Sequence, residues 1–378
     1  MKKVILSVGF LLATGAIFAQ NNESIVSQDG TNNNSVVLQA GDTNQSNVNQ
    51  RGNVTAASGE ENDSYVNQDG DRNIADVSQR GDFNEADIMQ TGNDNEALID
   101  QGTGQSENNT ASSTQTGNDN YSSQTQRFDN NDAVVEQNGD RNSAIQDQRS
   151  GPDGSLGNDA LAQQNGEDNE SMQTQRGHEN VANVHQGMMP GVSNAVNNYA
   201  MQDQDGERND AFISQANQDN QAYQIQVGDD NNAVIWQDEL QPVINGGDIA
   251  GQYQEGDRNS ATIDQGENYL GTPYTDYDHG DNVSGQAQFG NDNVAYSKQS
   301  GTANLSGQLQ IGDGNDANHV QVGDNNVAAT YQNGEGNNSI IDQLGEDNWA
   351  LTVQTGESHM STVNQVGTGN SSYVQQSN

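Results

Sequence analysis

The stretch QDGDRNIADVSQRGDFNEADIMQTGNDNEALIDQ, residues 68–101, returns the same polar residues every eleven positions. Gln falls at 68, 79, 90 and 101, Gly at 70, 81 and 92, and Asn at 73, 84 and 95. Self-similarity at a fixed period is typical of repeat architectures, in which each unit stacks on its neighbours. The same period continues in both directions along the chain.

The period extends from Gln28 to Gln376 as 29 segments of the form N-x-[AS]-x-h-x-Q. The first position is Asn in all segments but two, which carry Asp248 and His359, and the third position is always Ala or Ser. A disordered low-complexity tract has no physical reason to keep such a phase. The repeat therefore outweighs the composition as a guide to the fold.

Composition alone favours disorder, because only 30% of residues are apolar, mean hydropathy is −0.96 and the net charge is −42. This strongly acidic surface excludes nucleic acid as a partner. There is no Cys, which excludes disulfides and thiolate metal sites. Stability must come from something other than a large apolar core or covalent cross-links.

The chain opens with MKKVILSVGFLLATGAIFAQ, which has the basic start, short apolar run and small residue of a secretory signal peptide. We predict a signal peptide at residues 1–19 with cleavage after Ala19, followed by one repeat domain at 20–378. No later stretch is apolar enough to span a membrane. The mature chain is expected to be secreted.

Within each segment the repeated residues occupy alternate positions, which is the period of a β-strand, so they share one face. The segments are joined by short x-G-x-x turns, in which glycine supplies a positive φ. Phe128 and Asn217 interrupt this glycine column. The predicted turn glycines include Gly70, Gly81, Gly228 and Gly334.

The fifth position of the segments shows that the true period is two strands, or about 22 residues. Odd-numbered segments in the middle of the chain carry Gln there, whereas the even-numbered ones carry mainly Val or Ile. Two facing parallel sheets produce this alternation, because each strand stacks on the strand two ahead of it. We predict an all-β fold: a β-solenoid of two facing parallel sheets, two strands per turn, with cross-β amyloid-like stacking.

Stacked amides can each donate to one copy and accept from another, so that buried polar groups are satisfied. The residues predicted to build such structural ladders and to mediate self-assembly are Gln28, Gln79, Gln90, Gln126, Gln226, Gln332, Gln343 and Gln376, with Asn22, Asn73, Asn84, Asn231, Asn337 and Asn370, and the fifth-position Gln124, Gln146, Gln173, Gln202, Gln224, Gln252, Gln286 and Gln308.

Six intervals exceed eleven residues, and we interpret them as external loops that do not disturb the alternation. They lie near 53–61, 102–108, 150–157, 187–197, 239–247 and 267–281. The first three follow odd strands and the last three follow even strands, which predicts that they project from opposite edges. The three tyrosines of 267–281 are expected to be decoration rather than a ligand site.

The first and last segments lie close to the ends of the sequence, leaving no room for capping repeats. Uncapped strands that continue a ladder are templates for a further copy, and head-to-tail addition gives an open filament. Roughly 14.5 turns at ~4.8 Å each would add about 70 Å of fibre per subunit. The alternative is a monomeric solenoid with frayed terminal strands.

The pattern Q-x-G-x-x-N-x-A-x-x-x-Q, as in QRGDFNEADIMQ (79–90), resembles the curlin repeats of bacterial curli fibre subunits, and QNGEDNESMQTQ (164–175) keeps the same frame with Ser in place of Ala. The resemblance covers residues 22–376. It implies an extracellular functional amyloid fibre on the cell surface that supports biofilm and adhesion. It also implies an outer-membrane export pore and a nucleator subunit as partners. Two departures are that both strands of each repeat begin with Asn and that this chain is longer and carries loops.

No catalytic constellation is evident, because the five histidines are scattered and no nucleophile motif accompanies them. We expect no enzyme activity and no cofactor. Acidic turns stacked at one strand spacing leave Ca²⁺ binding as an option, although a solvated acidic edge is the simpler interpretation. The alternative function is a monomeric secreted adhesin or a calcium-binding or ligand-binding surface protein; ice binding is disfavoured because the outward positions are irregular.

Overall fold

The computed structural model describes residues 21–52, 60–102, 106–151, 155–187, 195–237, 246–266 and 280–378. Thirty β-strands form two sheets with no helix in the described ranges. The predicted signal peptide and the centres of the six predicted loops lie outside these ranges. Within them, no helix is long and apolar enough to cross a membrane.

The first sheet contains fifteen strands, each hydrogen-bonded to the strand of the preceding and following turn. Its strands are β1 (Glu23–Asp29), β3 (Gln45–Arg51), β5 (Ile74–Arg80), β7 (Glu96–Gln101), β9 (Tyr121–Arg127), β11 (Ser143–Arg149), β13 (Glu170–His178), β16 (Tyr199–Glu207), β18 (Gln221–Val227), β20 (Ile249–Glu255), β22 (Val283–Phe289), β24 (Leu305–Ile311), β26 (Val327–Glu335), β28 (Trp349–Glu357) and β30 (Ser371–Ser377).

The second sheet holds the intervening strands in the same parallel arrangement. Its strands are β2 (Asn34–Ala40), β4 (Asp63–Asp69), β6 (Glu85–Thr91), β8 (Thr110–Thr116), β10 (Asp132–Asp140), β12 (Asp159–Glu167), β14 (Val181–Gln186), β17 (Asp210–Gln215), β19 (Asn232–Gln237), β21 (Ser260–Gln265), β23 (Val294–Ser300), β25 (Asp316–Val322), β27 (Asn338–Leu344) and β29 (Met360–Val366), with the short β15 (Ala195–Val196) beside β12.

The predicted fold class is confirmed, because the two sheets are parallel and each strand pairs with the strand one turn away. Equivalent residues stand directly opposite one another, as in the pairing of Gln50 with Gln79 and of Gln79 with Gln101. The register survives the longest interval, since Gln265 pairs with Gln299 across it. The described strands on either side of this interval therefore pair directly with one another in both sheets.

The space between the sheets is narrow because the third position of each segment carries only Ala or Ser. These small side chains are buried together with the fifth-position residues, among them Val77, Ile88, Ile213 and Ile235. The Gln that ends each segment, called the anchor Gln, and the Asn that begins it fill the rest of the interior. Polar amides thus replace much of the aliphatic volume of an ordinary core.

The margins of several predicted loops belong to the coil, by which we mean the stack of turns formed by the two sheets. Glu60, Glu107 and Gly280 each form a parallel bridge with a residue of a neighbouring turn. Within the predicted loop 187–197, Ala195–Val196 form β15, which pairs with Gly166 and Glu167. Ala195 and Val196, at this margin of the predicted loop, are therefore extended by pairing with the preceding turn of the second sheet.

Candidate functional site

The anchor glutamines form two unbroken ladders, one in each sheet. In the first sheet every Gln Nε2 from Gln28 to Gln354 donates to the Oε1 of the Gln one turn further along the chain, at 2.7–3.0 Å. The second sheet repeats this from Gln39 to Gln365 at 2.8–3.0 Å. Both ladders donate toward the C-terminal end of the coil.

Each anchor glutamine also ties the two sheets together. Gln79 Nε2 donates to Gln101 Oε1 and, with its other N–H, to the backbone oxygens of Asp63 at 2.8 Å and Asn84 at 2.9 Å. Asp63 belongs to β4 and Asn84 precedes β6, so both acceptors lie on the second sheet. The amide is satisfied only when both sheets and the next turn are in place.

The asparagine columns donate in the opposite direction. Asn95 donates from both its backbone N and its Nδ2 to Oδ1 of Asn73 at 3.1 Å, and Asn73 donates in turn to Asn44. The second Nδ2 hydrogen binds a turn, as in the 2.8 Å bond from Asn73 to the Gly92 oxygen. The predicted residues in these columns behave alike: Asn22 accepts from Asn44, and Asn84, Asn231, Asn337 and Asn370 each donate one turn back.

The two exceptions in these columns keep only part of the pattern. Asp248 accepts the backbone N–H of Asn282 at 2.8 Å, so its carboxylate replaces the amide oxygen. His359 donates its backbone N–H to Asn337 Oδ1 at 3.0 Å, while its ring lies 3.1 Å from the Thr355 oxygen. The backbone continues through both positions.

A third ladder runs through the fifth positions of the first sheet. Its members are bonded Nε2 to Oε1 at 2.8–3.1 Å, in the order Gln124, Gln146, Gln173, Gln202, Gln224, Gln252, Gln286 and Gln308. Ile99 precedes Gln124 in the stack, and the Oε1 of Gln124 is buried without a hydrogen-bond partner. The ladder therefore begins with an unused acceptor.

A buried hydroxyl and imidazole chain follows where this ladder ends. His319 lies 2.9 Å from Ser306 Oγ and 2.7 Å from Thr330 Oγ1, and Thr330 Oγ1 lies 3.0 Å from Ser339 Oγ. Burial lowers the pKa of His319 to about 3, which keeps the ring neutral. His319 is one of the five scattered histidines, and the sequence pattern did not predict this chain, although the change from Gln to Thr at Thr330 was a visible signal.

The turn glycines are required by close stacking as well as by backbone conformation. Gly81 has φ +127°, and a Cβ placed there would overlap the backbone oxygen of Ser106 in the next turn. The predicted turn residues Gly70, Gly228 and Gly334 face the oxygens of Gly92, Gly256 and Gly356 in the same way. The two substitutions, Phe128 and Asn217, adopt φ of 69° and 59°, in the left-handed region.

The acidic turns are engaged in backbone and arginine contacts. Asp71 Oδ1 accepts the backbone N–H of Asp42 at 2.8 Å, and Arg72 lies 2.6 Å from Asp94 Oδ1. Hydrogen bonding to arginine lowers the pKa of Asp94, as it does for Asp168, Asp230 and Asp292. Among the described residues, no group of three or more His, Cys, Asp or Glu side chains is placed to hold a metal ion.

Aspartates on the outer faces of the strands have raised rather than lowered pKa values. Partial burial raises the pKa of eight of them, since desolvation penalises the carboxylate. They are Asp76, Asp87, Asp100, Asp132, Asp159, Asp210, Asp316 and Asp342. The flanks of the coil are thus more easily neutralised by acid than isolated carboxylates.

The two ends of the described coil leave complementary groups without intrachain partners. At β1 and β2, no described residue donates to Oε1 of Gln28 or Gln39, and the Nδ2 atoms of Asn22 and Asn33 are unpaired. At β29 and β30, Nε2 of Gln365 and of Gln376 each donate one bond to a backbone oxygen and have no glutamine beyond them. One end offers glutamine acceptors and the other offers glutamine donors.

Residues 70–102 match the family model of the curlin associated repeat. The resemblance to curlin repeats is confirmed for these residues. No curated protein matches the chain. The ladders that pass through the matched residues continue with the same bonds through the described strands before and after them.

Proposed function

We propose that this chain is the structural subunit of an extracellular curli-like amyloid fibre that grows by head-to-tail stacking of identical coils. The observation that carries the proposal is the polarity of the ladders: acceptors remain at β1 and β2, and donors remain at β29 and β30. A second copy placed end to end would supply the missing partner to each ladder. Isolated strand edges also carry unpaired backbone groups, which favour such addition.

Burial at the first end supports the same proposal. Val26, an inward fifth-position residue, is 45% exposed, whereas its neighbour one turn inside, Val48, is 0% exposed. Covering Val26 with another turn would remove apolar area from water at about 25 cal/mol per Å². Apolar contact and amide pairing would therefore act together at the junction.

The wider role follows from the curlin resemblance and is part of the proposal. Such a fibre would be secreted, would coat the cell surface and would serve biofilm matrix and adhesion without catalysis. A nucleator subunit and an outer-membrane export pore are the expected partners. A subunit with a net charge of −42 would stay soluble until stacking begins.

The decisive experiment compares two neighbouring substitutions in β1. Val26→Asp places a carboxylate on the end surface that a second copy would cover, whereas Ile25→Asp places it on the outward flank, where Ile25 is already 53% exposed. Purified wild type should form unbranched fibres with a meridional reflection near ~4.8 Å. Val26→Asp should abolish or strongly delay growth, and Ile25→Asp should grow nearly as wild type.

Circular dichroism of the unpolymerised variants serves as the folding control. Equal growth of both variants would refute end-to-end stacking through β1. Monodisperse wild-type coils that never form fibres would instead support the monomeric surface-protein alternative.

A further inference from the structure

The outer face of the first sheet changes character along the coil. From β18 to β30, its outward second, fourth and sixth positions carry no charged residue in any of the seven strands. Most are apolar or aromatic, and Ile249, Val283, Leu305, Trp349 and Tyr373 are all exposed. We call this surface, the outward positions of β18 to β30, the uncharged face.

Every other flank carries charge. Earlier strands of the same sheet present Asp76 and Asp100, and the second sheet presents Asp316 and Asp342 at the height of the uncharged face, whereas Asp264 there is paired with Lys298 at 3.1 Å. Two coils of a chain with net charge −42 repel one another when they approach through these flanks. Two copies can meet through the uncharged face without carboxylates opposing one another; the carboxylate beside it is that of Glu255, which ends β20 and accepts the hydroxyl hydrogen of Tyr253 at 3.0 Å.

The uncharged face has a groove and a ridge that run side by side along the coil. Gly251, Gly285 and Gly307 occupy the fourth position of successive strands, and a Cβ on any of them would meet nothing within 4 Å. The groove has a volume of about 620 Å³ and is bordered by the sixth-position residues Tyr253 and Leu309. The sixth-position residues, among them Tyr253 and Leu309, form the ridge, which lies two residues, or about 6.6 Å, from the glycines of the groove.

We propose that the uncharged face binds the same face of a second copy, so that coils associate laterally as pairs. A two-fold axis parallel to the coil, placed midway between groove and ridge, puts Tyr253 of each copy opposite Gly251 of the other and Leu309 opposite Gly307. The contact is isologous and closes after two copies. It is a dry, interdigitated interface of the kind formed between paired sheets.

The size of the face is adequate for such pairing. The two-fold axis sets the second position of each strand against the residue that follows the anchor Gln of the other copy, so the contact is at least five residues by seven strands. This area is about 17 Å by 34 Å, so two copies together bury more than about 1,100 Å², above the ~1,000 Å² expected of a biological interface. Lateral pairing does not depend on end-to-end growth, because the face lies along the side of the coil. In a fibre, the same face recurs with every subunit.

The test is the mass per unit length of fibres by dark-field scanning transmission electron microscopy. Wild-type fibres should have twice the mass per length of a single coil. Gly285→Glu, which buries a carboxylate in the pair, should halve it, and Ala329→Glu at the same position of β26 should do likewise. The matched control Thr262→Glu adds the same charge at the fourth position of β21, on the second sheet, and should leave the pairs intact.

Single-coil wild-type fibres, or a Gly285→Glu variant that remains paired, would overturn the proposal. Wild-type coils could instead stay single and adsorb to hexadecane droplets. If Gly285→Glu abolishes that adsorption, the uncharged face binds nonpolar surfaces rather than a second copy. If no fibre forms, the proposed polymer is wrong, and sedimentation then tests pairing alone. In that case a wild-type dimer that Gly285→Glu converts to a monomer supports lateral pairing, and a wild-type monomer refutes it.

Discussion

Replacing Gln224 by Met tests whether the buried amide ladder stabilises the coil. Gln224 is fully buried, accepts from Gln202 Nε2 at 3.0 Å, and donates to Gln252 Oε1 at 3.0 Å and to the Phe212 oxygen at 2.9 Å. Methionine has a similar shape, so little cavity is created. It leaves one N–H of Gln202 and the Oε1 of Gln252 buried without partners.

Two buried polar groups without partners cost roughly 1–3 kcal/mol each, and we expect a loss of about 3 kcal/mol after the gain from the more apolar side chain. A coil of stacked turns opens locally rather than in one step. Amide hydrogen exchange of β16, β18 and β20, measured by mass spectrometry, is therefore the appropriate assay. About 3 kcal/mol corresponds to exchange roughly 100-fold faster in these strands.

The matched control is Gln221→Met in the same strand. Gln221 faces outward and is exposed, so its substitution should change the free energy of opening by less than about 0.5 kcal/mol. Equal exchange rates in the two variants would show that the ladder contributes nothing beyond packing, and the proposed role of the amides would be wrong.

Three further predictions follow from the turns and the titratable groups. Gly81→Ala should destabilise its turns by more than about 2 kcal/mol, whereas Gly314→Ala, at φ +64° with open space around it, should cost about 1 kcal/mol; similar denaturation midpoints would contradict the stacking explanation. Fibres should grow faster and resist denaturant better near pH 4 than at pH 7, because the aspartates with raised pKa gain stability as they protonate; unchanged rates would count against this. His319 acts in the opposite direction: its lowered pKa costs up to about 1.4 kcal/mol per pH unit between 6.5 and 3. The free energy of opening β24 to β26, obtained from exchange rates corrected for their intrinsic pH dependence, should therefore fall on acidification in wild type but not in His319→Gln.

The fold was predictable because the inward positions repeat with two independent periods. Alternation within a segment indicated strands, and the alternation of Gln124 and Gln146 with Val135 indicated two strands per turn. Stacked amides are stable only when every copy has a partner above and below, so the sequence must repeat without a phase error. Such a constraint leaves a pattern that can be recognised without a structure.

Other features were not predictable because the inward pattern does not encode them. A column of identical amides can donate in either direction, so the opposite senses of the Gln and Asn columns required coordinates. The contact between Gly81 and Ser106 depends on the approach of two turns, and glycine was expected only for its φ. The outward positions looked irregular, because the uncharged face becomes visible only when strands of the first sheet are considered separately.

The opposed directions of the amide columns have an electrical consequence. Aligned peptide dipoles add along an α-helix and place partial charges at its two ends. The anchor glutamine bonds of this coil are oriented toward its C-terminal end, while the asparagine bonds beside them are oriented toward its N-terminal end. Their dipoles oppose one another turn by turn, although the fifth-position ladder from Gln124 to Gln308 adds one more glutamine bond per turn in the first direction. A stack built this way accumulates a smaller potential difference between its ends than one whose amides all point the same way, so the local field at the growing end changes less as subunits are added.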